Sequence, residues 1–283
     1  MKYYVVIPAH NEEAYLPRML DTLLGQTLPA HKIVVVNDHS SDGTEVIIDQ
    51  YAARYPVLTK VNVTSSGKHL PGSKVINAFH AGYKVLDDEY DFIAKLDADL
   101  LLPETYFERI SKIFSSSPKV GIAGGFSYEK DREGHWRLHH PMDKTHIRGA
   151  FKSYTRKCFK TIGGLRNAMG WDTLDELLAQ YHGFELFTDD SLAVKTLRPV
   201  GSAYDKEALY LQGIAMYRMH YGFWISAIAS AKMAWKKRDP AVFIDNLQGY
   251  FKARKGQMPY LVTPEEGRFI RRLRWGNIRK KLF

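Results

Sequence analysis

The hydrophobic positions of the first hundred residues follow two alternating rhythms. Unbroken apolar runs at residues 3–7 (Tyr-Tyr-Val-Val-Ile) and 32–36 (Lys-Ile-Val-Val-Val) predict strands buried on both faces, and residues 57–63 and 91–96 predict two more. Between them the apolar residues recur at helical spacing. Leu16, Leu20, Leu23 and Leu24 stripe the first segment, Val46, Ile47 and Tyr51 the second, and Val75, Ile76, Phe79 and Tyr83 the third. Strand–helix–strand repetition with crossover connections predicts a doubly wound α/β fold with a mostly parallel sheet. After residue 103 the rhythm loosens into a helix near 103–115, a strand near 119–123 and then Gly124-Gly125. The polar, aromatic stretch 126–150 predicts a hairpin or lid. A helix near 171–182 and a short strand or two around 184–196 follow. From about residue 203 the chain reads as helices only. The predicted division is residues 1–202 for the α/β domain and 203–283 for a helical C-terminal extension.

Composition narrows the class. With 45% apolar and 25% charged residues over 283 positions, the chain is neither disordered, collagenous nor a multi-span membrane protein. One cysteine, Cys158, excludes an intrachain disulfide and a cysteine-cluster metal site, so a reducing compartment is expected. Only five contiguous apolar residues precede Pro8, too few for a signal-peptide core, and the cytoplasm is the expected location. The net charge of +9 is concentrated at one end. From Lys232 onward there are 14 Lys and Arg against 4 Asp and Glu, which leaves the first 231 residues nearly neutral. A basic tail on a neutral body points to a polyanionic partner.

Doubly wound sheets bind ligands outside the carboxyl ends of their strands, and polar residues gather there in this sequence. Pro8-Ala9-His10-Asn11-Glu12 follows the first predicted strand, Asn37-Asp38-His39 the second and Asp97-Ala98-Asp99 the fourth. Two carboxylates flanking one small residue in an exit turn can aim at a single point and hold a hard divalent cation, Mg2+ or Mn2+, against a diphosphate. Asp38 can accept a hydrogen bond from a base or ribose, while Asp42 and Thr44 read as helix-start capping. Small residues at Pro8 and Ala9 allow a nucleotide close to the backbone, and His10 can stack on a base. Lys74, in Pro71-Gly72-Ser73-Lys74 before a helix, can reach phosphate but lacks the spacing of a Walker-type loop. Each of these side chains also has an ordinary use in a turn, a cap or solvent.

Their order is the specific signal. Val-Val-Ile-Pro-Ala-His-Asn-Glu-Glu, then Val-Val-Val-Asn-Asp-His-Ser-Ser-Asp-Gly-Thr, then Lys-Leu-Asp-Ala-Asp resembles glycosyltransferase family 2, over roughly residues 3–200. Ile162-Gly163-Gly164 and Gly170-Trp171-Asp172 agree with it. The resemblance implies the GT-A fold, with a Rossmann-like sheet, and an inverting transfer from a nucleotide sugar, often a UDP-sugar, with Mg2+ or Mn2+. It implies Pro8, Ala9, His10, Glu12 and Asp38 around base and ribose, Lys74 near the donor, Asp97 and Ala98 facing the nucleotide, and Asp99, with Asp97, holding the metal. Asp172 takes the position of the second residue of the family's Glu-Asp pair, the usual general base. Trp171 stands where glutamate is common, and Val194 to Pro199 offers no histidine to complete a metal shell. Asp189-Asp190 reads as a turn and is the fallback base.

In the tail, Arg271-Arg272-Leu273-Arg274-Trp275 is similar to the Gln-x-x-Arg-Trp motif of processive synthases but lacks the glutamine and flanking membrane helices. The 13 uncharged residues between Arg218 and Lys232 are too few to span a bilayer. Tyr217, Met219, Tyr221, Phe223, Trp224, Ile225 and Ile228 nevertheless form an aromatic and apolar patch beside Lys232, Lys236, Lys237 and Arg238. Such a segment suits the cytoplasmic face of an anionic membrane, whereas no nucleic acid is expected. The implied function is sugar transfer to a saccharide or lipid-linked acceptor, in cell-surface polysaccharide or glycolipid synthesis. The alternatives are a sugar nucleotidyltransferase, whose glycine- and arginine-rich first loop is missing, and a non-catalytic membrane- or nucleic-acid-binding protein.

Overall fold

Runs of β-branched and aromatic residues make the first strands: every side chain from Tyr3 to Ile7 and from Ile33 to Val36 is at most 2% exposed. In this computed structural model, which describes residues 1–64, 73–131, 133–138, 146–198 and 206–282, these runs become β1 (Tyr3–Ala9) and β2 (Lys32–Asp38). The leucine stripe forms α1 (Leu16–Leu24), with Pro17 in the first turn, where its missing N–H leaves no bond unmade. Then come α2 (Thr44–Arg54), β3 (Leu58–Val63), α3 (Ser73–Lys84) and β4 (Phe92–Leu96). The next elements are β5 (Leu100–Leu101), α4 (Tyr106–Ser116), β6 (Val120–Lys130), β7 (Trp136–Leu138), β8 (Phe151–Thr155), α5 (Arg156–Thr161), α6 (Trp171–Tyr181) and β9 (Glu185–Thr196). The extension is α7 (Lys206–Arg218), α8 (Phe223–Lys237), α9 (Ala241–Lys255) and α10 (Pro264–Leu282).

The strands form one sheet in the order β3-β2-β1-β4-β8-β6-β9-β5, with β7 hairpinned onto β6. The expected parallel pairing holds from β3 through β4. Beyond that the sheet is mixed: β8 lies antiparallel between β4 and β6, β9 runs parallel to β6, and β5 caps β9 antiparallel. Strand periodicity sorts the core into two layers. Tyr3, Val5, Ile7, Ile33 and Val35 cluster with Leu16, Leu20, Phe107 and Ile110 on one face. Tyr4, Val6, Val34 and Val36 cluster with Ile76, Phe79, Leu174 and Leu178 on the other. The free thiol of Cys158 is buried in the second layer, where a β-carbon added at Gly121 would lie 2.7 Å from its sulfur.

Two expectations change, and the hairpin expected within 126–150 is present. Asp189-Asp190 is not a turn: both lie inside β9, where the register against β6 jumps from Gly124↔Thr188 to Phe126↔Ala193 and leaves a bulge. The region 126–150 contains the β6–β7 hairpin; residues 132 and 139–145 lie outside the described residues, as does the expected boundary near 200–203. The aromatic patch of the tail is also redistributed. Tyr217, Met219, Tyr221 and Ile225 are buried, and Met219, Tyr221 and Ile225 join Ala215, Met216, Val262 and Ile270 in the same core cluster as Trp171 and Leu174. The connection between α7 and α8 carries Met219 and Tyr221 into the core, and on α8 helical spacing turns Ile225 inward while Trp224 and Ile228 stay exposed.

Within the extension, α7 and α9 cross with backbones nearly touching. A β-carbon built on Gly213 would sit 1.8 Å from the Asn246 carbonyl oxygen, and one on Gly249 would sit 2.0 Å from that of Tyr210. Only glycine permits this approach, because backbone atoms cannot swing aside as a side-chain tip can. Gly213→Ala is therefore expected to lower stability by about 1–3 kcal/mol or more. A thermal melt unchanged from that of the unmodified chain would show that the crossing is looser than described.

Candidate active site

The exits of β1 and β2 are stitched into one platform. Register pairs Pro8 with Val36 and Ala9 with Asn37, so the two loops leave the sheet side by side. The backbone N–H of Asn11 donates to Ser40 Oγ at 3.1 Å, and its Oδ1 accepts from the Ser41 N–H at 2.8 Å. Glu12 N–H donates to Thr44 Oγ1 at 2.7 Å, and Gly43 N–H to Glu13 Oε2 at 2.6 Å. Asn11 and His39 both take positive φ, 55° and 51°, one in each exit loop. Such conformations in non-glycine residues collect at binding sites, where surrounding bonds hold them. His10 Nδ1–H donates to the Asp38 carbonyl at 2.6 Å, which fixes the tautomer and leaves the ring exposed on the platform. Asp38 itself is buried at the end of β2. Asp42 Oδ1 accepts from the Thr44 N–H at 3.0 Å, the helix-start role expected of it.

Beside this platform, the β4 exit turn carries Asp97 and Asp99 around buried Ala98. Burial and then the Asp97 charge push the Asp99 carboxyl up to about 6, against the pull of Arg198 and Lys95. Glu12 faces the same pair. Burial raises its carboxyl to about 7, Arg198 opposes this, and the charges of Asp99 and Asp97 add to it. Arg198 Nη2 donates to Glu12 Oε2 at 2.7 Å, with its guanidinium 5.3 Å from the Tyr15 ring centre. Buried Lys95 ion-pairs with Asp97 and lies 5.3 Å from the Trp171 ring centre. Mutually repelling carboxylates offering only oxygen are a donor set that fits Mg2+ or Mn2+.

Asp172 sits in the first turn of α6, after Gly170 at φ +74°. Asp172, Asp175 and Glu176 share one helix face at i, i+3 and i+4. Asp175 and Glu176 are buried against Lys152, a β8 residue with no exposed surface. Lys152 Nζ lies 2.8 Å from Asp175 Oδ1 and 2.9 Å from Glu176 Oε1, and it also donates to the Asp172 carbonyl. Tyr154 OH donates to Asp175 Oδ2. Burial pulls the Lys152 ammonium down, but the carboxylates of Asp175, Glu176 and Asp172 outweigh it and hold it above its ordinary value. Glu176 also accepts from the Ile147 N–H at 2.8 Å and binds His146 Nδ1 at 2.9 Å. The other nitrogen of His146 lies 3.9 Å from Asp172 Oδ2.

Segment 146–150 joins the two halves. Ala150 accepts a 2.8 Å hydrogen bond from the Asp97 N–H, while a β-carbon on Gly149 would press on Trp171 and on Asp172 Cβ. The structure thus gathers Pro8 to Glu12, Asp38, Asp97, Ala98, Asp99 and Asp172 around one end of the sheet. Lys74 lies in the first turn of α3, half-buried, and Pro71 and Gly72 fall outside the described residues. The fallback base Asp189 is engaged elsewhere: Arg109 Nε binds it at 2.6 Å and Ser191 Oγ donates to it at 2.6 Å. Among the described residues, Asp131, Glu133 and His135 also bring ligand atoms together. Asp131 is used there by the N–H groups of Glu133 and His135 and by Arg137, so it braces the β6–β7 hairpin. Arg198, Lys95, His146, Lys152, Asp175 and Glu176 escaped the sequence reading. Only the Asp175-Glu176 spacing from Asp172 offered a signal.

Comparison with known proteins bears on the family and the fold. The chain is 29% identical over 149 residues to the minor teichoic acid biosynthesis protein GgaB of Bacillus subtilis, covering 51% of this chain and 16% of that protein. It is 33% identical over 97 residues to a poly(ribitol-phosphate) beta-glucosyltransferase of Bacillus spizizenii, 33% of this chain and 15% of the relative. The chain thus spans about a sixth of the length of these relatives. In fold it is similar to S. aureus TarS 1–349 in complex with UDP-GlcNAc, with a TM-score of 0.57 at 18% identity, covering 76% of this chain and 65% of that one. It is similar over its whole length, and 81% of the other, to the mannosyltransferase PcManGT of Pyrobaculum calidifontis in complex with GDP-Man and Mn2+, at a TM-score of 0.61 and 14% identity. These likenesses establish the GT-A architecture. Residues 4–171, more than half of the sequence and the part that carries every strand from β1 to β8, match the family described as Glycosyl transferase family 2, and the chain belongs to it.

Proposed function

We propose that this chain is a metal-dependent, inverting glycosyltransferase that moves a sugar from a nucleotide donor, a UDP-sugar, to an acceptor hydroxyl. The observation that supports it best is the joining of Asp97 to the Asp172 turn through segment 146–150, with Glu12 and Arg198 alongside. Base and ribose lie on the platform of Pro8, Ala9, His10, Glu12 and Asp38, with Lys74 reaching toward the donor phosphates. Asp99, with Asp97, would hold Mg2+ or Mn2+, which when bound supplies positive charge to the leaving diphosphate. Arg198 adds a fixed guanidinium for the same oxygens. Asp172 takes the proton of the acceptor hydroxyl as its oxygen bonds to the anomeric carbon. The bond to the diphosphate oxygen breaks on the opposite face, and the configuration inverts.

The structural neighbours are held in complex with UDP-GlcNAc and GDP-Man, and the relatives are a minor teichoic acid biosynthesis protein and a poly(ribitol-phosphate) beta-glucosyltransferase. They support a nucleotide-sugar donor and a saccharide or lipid-linked acceptor in cell-surface polymer or glycolipid synthesis. The buried free thiol is consistent with a cytoplasmic site of action.

Calorimetry checks the metal role. UDP is expected to bind more tightly with Mn2+ present, and Asp99→Ala is expected to lose that gain; equal affinity in all four combinations would remove Asp99 from metal binding. Asp172→Asn keeps size and helix-start polarity but cannot accept the proton. It is expected to cut kcat by about 10²–10⁴-fold while leaving donor affinity unchanged, and normal turnover would exclude Asp172 as the base.

His146 gives a pH test of the same turn. Burial lowers its affinity for a proton, but Glu176, and more weakly Asp172, outweigh that and lift the imidazole above its ordinary value, with Lys152 opposing them. A raised folded value means that the imidazolium contributes stability fully below about pH 6.5, and that this contribution fades as pH rises through the folded value. NMR titration is expected to place His146 above a free histidine and to return it toward that value in Glu176→Gln. An unshifted His146 would break the link between Glu176 and the base.

A further inference from the structure

The extension leaves one face that packing does not explain. On α8, Trp224, Ile228, Ala231 and Trp235 recur at i, i+4, i+7 and i+11, and all four are exposed. Trp235 is 85% and Trp224 69% open to solvent, an unusual state for the largest apolar side chain. On α9, Ile244 and Phe251 add a second exposed row two turns apart. Phe223 bridges the rows at one end, 5.1 Å from Trp224 and 5.7 Å from Phe251 between ring centres. At the other end Trp235, Phe243 and Ile244 line a groove of about 800 Å³. The inner side of α9, through Val242, Tyr250 and Ala253, is buried, so the hairpin is anchored and its outer rows are not needed for folding. Contiguous apolar surface of this kind marks a docking site.

Charge identifies the occupant. Both helices end in basic turns, with Lys236 and Lys237 on α8 and Lys252, Arg254 and Lys255 on α9, and Arg238 closes α8. Lys236, Lys237, Arg238, Arg254 and Lys255 make no ion pair among the described residues. The cations sit at the rim and the aromatic and aliphatic rows between them, as in a helix pair lying in a lipid headgroup layer. Indole rings favour that depth, and lysine stems let the ammonium stay in the polar zone. A second copy of this face would bring the same positive rim against itself. A nucleic-acid track would need cations interleaved with the aromatics, where Ile228, Ala231 and Ile244 stand instead. No helix among the described residues is long and apolar enough to cross a membrane.

We propose that the outer face of the α8–α9 hairpin docks on an anionic bilayer surface, with Trp224 and Trp235 inserted at the interface. This goes beyond sugar transfer and does not depend on it. The surface differs from the one expected from sequence, since Tyr217, Met219, Tyr221 and Ile225 are spent on the core and Trp235, Ile244 and Phe251 take their place.

Vesicle flotation of the full chain tests it. The protein is expected to float with phosphatidylcholine–phosphatidylglycerol vesicles, with a blue shift of tryptophan emission, and to stay behind with phosphatidylcholine alone. The double variant Trp224→Ser, Trp235→Ser is expected to lose flotation, and Lys236→Glu, Lys237→Glu to weaken it at least about tenfold. Melting and UDP binding are measured on each variant, because these residues are exposed and neither property should move. Four outcomes would overturn the proposal: no flotation of the unmodified chain, equal flotation of the tryptophan variant, dimerisation abolished by that variant, or tighter binding to a single-stranded oligonucleotide than to the vesicles. UDP binding retained alongside failed flotation would leave the transferase proposal standing, and the reverse pattern would leave the surface standing.

Discussion

A single ammonium sets the alignment of the active site. Lys152 is carried into the interior by β8 and meets Asp175 and Glu176 of α6 there. Removing either partner of such a buried set strands the other at a cost of about 3–5 kcal/mol, so the register of the strand against the helix has little freedom. That register fixes where the first turn of α6 emerges, and with it Asp172. Glu176 then spends its remaining capacity on Ile147 N–H and His146, which ties down the segment whose next residues reach Asp97. The candidate base and the candidate metal ligands are thus positioned by one chain of contacts that starts from a charge hidden in the core.

The donor side is balanced differently. Glu12, Asp97 and Asp99 face two cations, Lys95 and Arg198, and neither is free to leave: one is buried in β4 and the other is held against Glu12 and Tyr15. Three carboxylates against two cations leave the pocket short of positive charge. A divalent ion arriving with a diphosphate would meet attraction from the acids, and the anion would find a guanidinium already in place. Burial first, and then the repulsion among these acids, lifts Asp99 and Glu12, and an arriving cation would relieve both costs.

How much of this was legible follows from where each signal lives. The strands β1 to β4 and the acidic turns at their ends are local, written in apolar runs followed by polar residues, and periodicity finds them. β8 was not legible, because Lys152 and Ser153 occupy buried positions in a strand that reads as polar. Its lysine makes sense only beside Asp175 and Glu176, more than twenty residues later. Arg198 is not legible for a similar reason: its pairing with Glu12 spans nearly the whole α/β part. In the tail, composition found the aromatic and basic character but could not assign faces. Only the docking of Met219, Tyr221 and Ile225 into the core separates the residues that hold the helices from those left outside.

The solitary thiol has a practical use. Cys158 lies beneath Gly121 and Phe184, and burial pushes its thiol up to about 12, so in the native state it is both shielded and protonated. Alkylating reagents therefore see it only when this layer of the core opens, and the labelling rate measures that opening in the unmodified chain. A cysteine introduced at an exposed position would react far sooner, which lets a dye or spin label be attached selectively without first removing the native thiol.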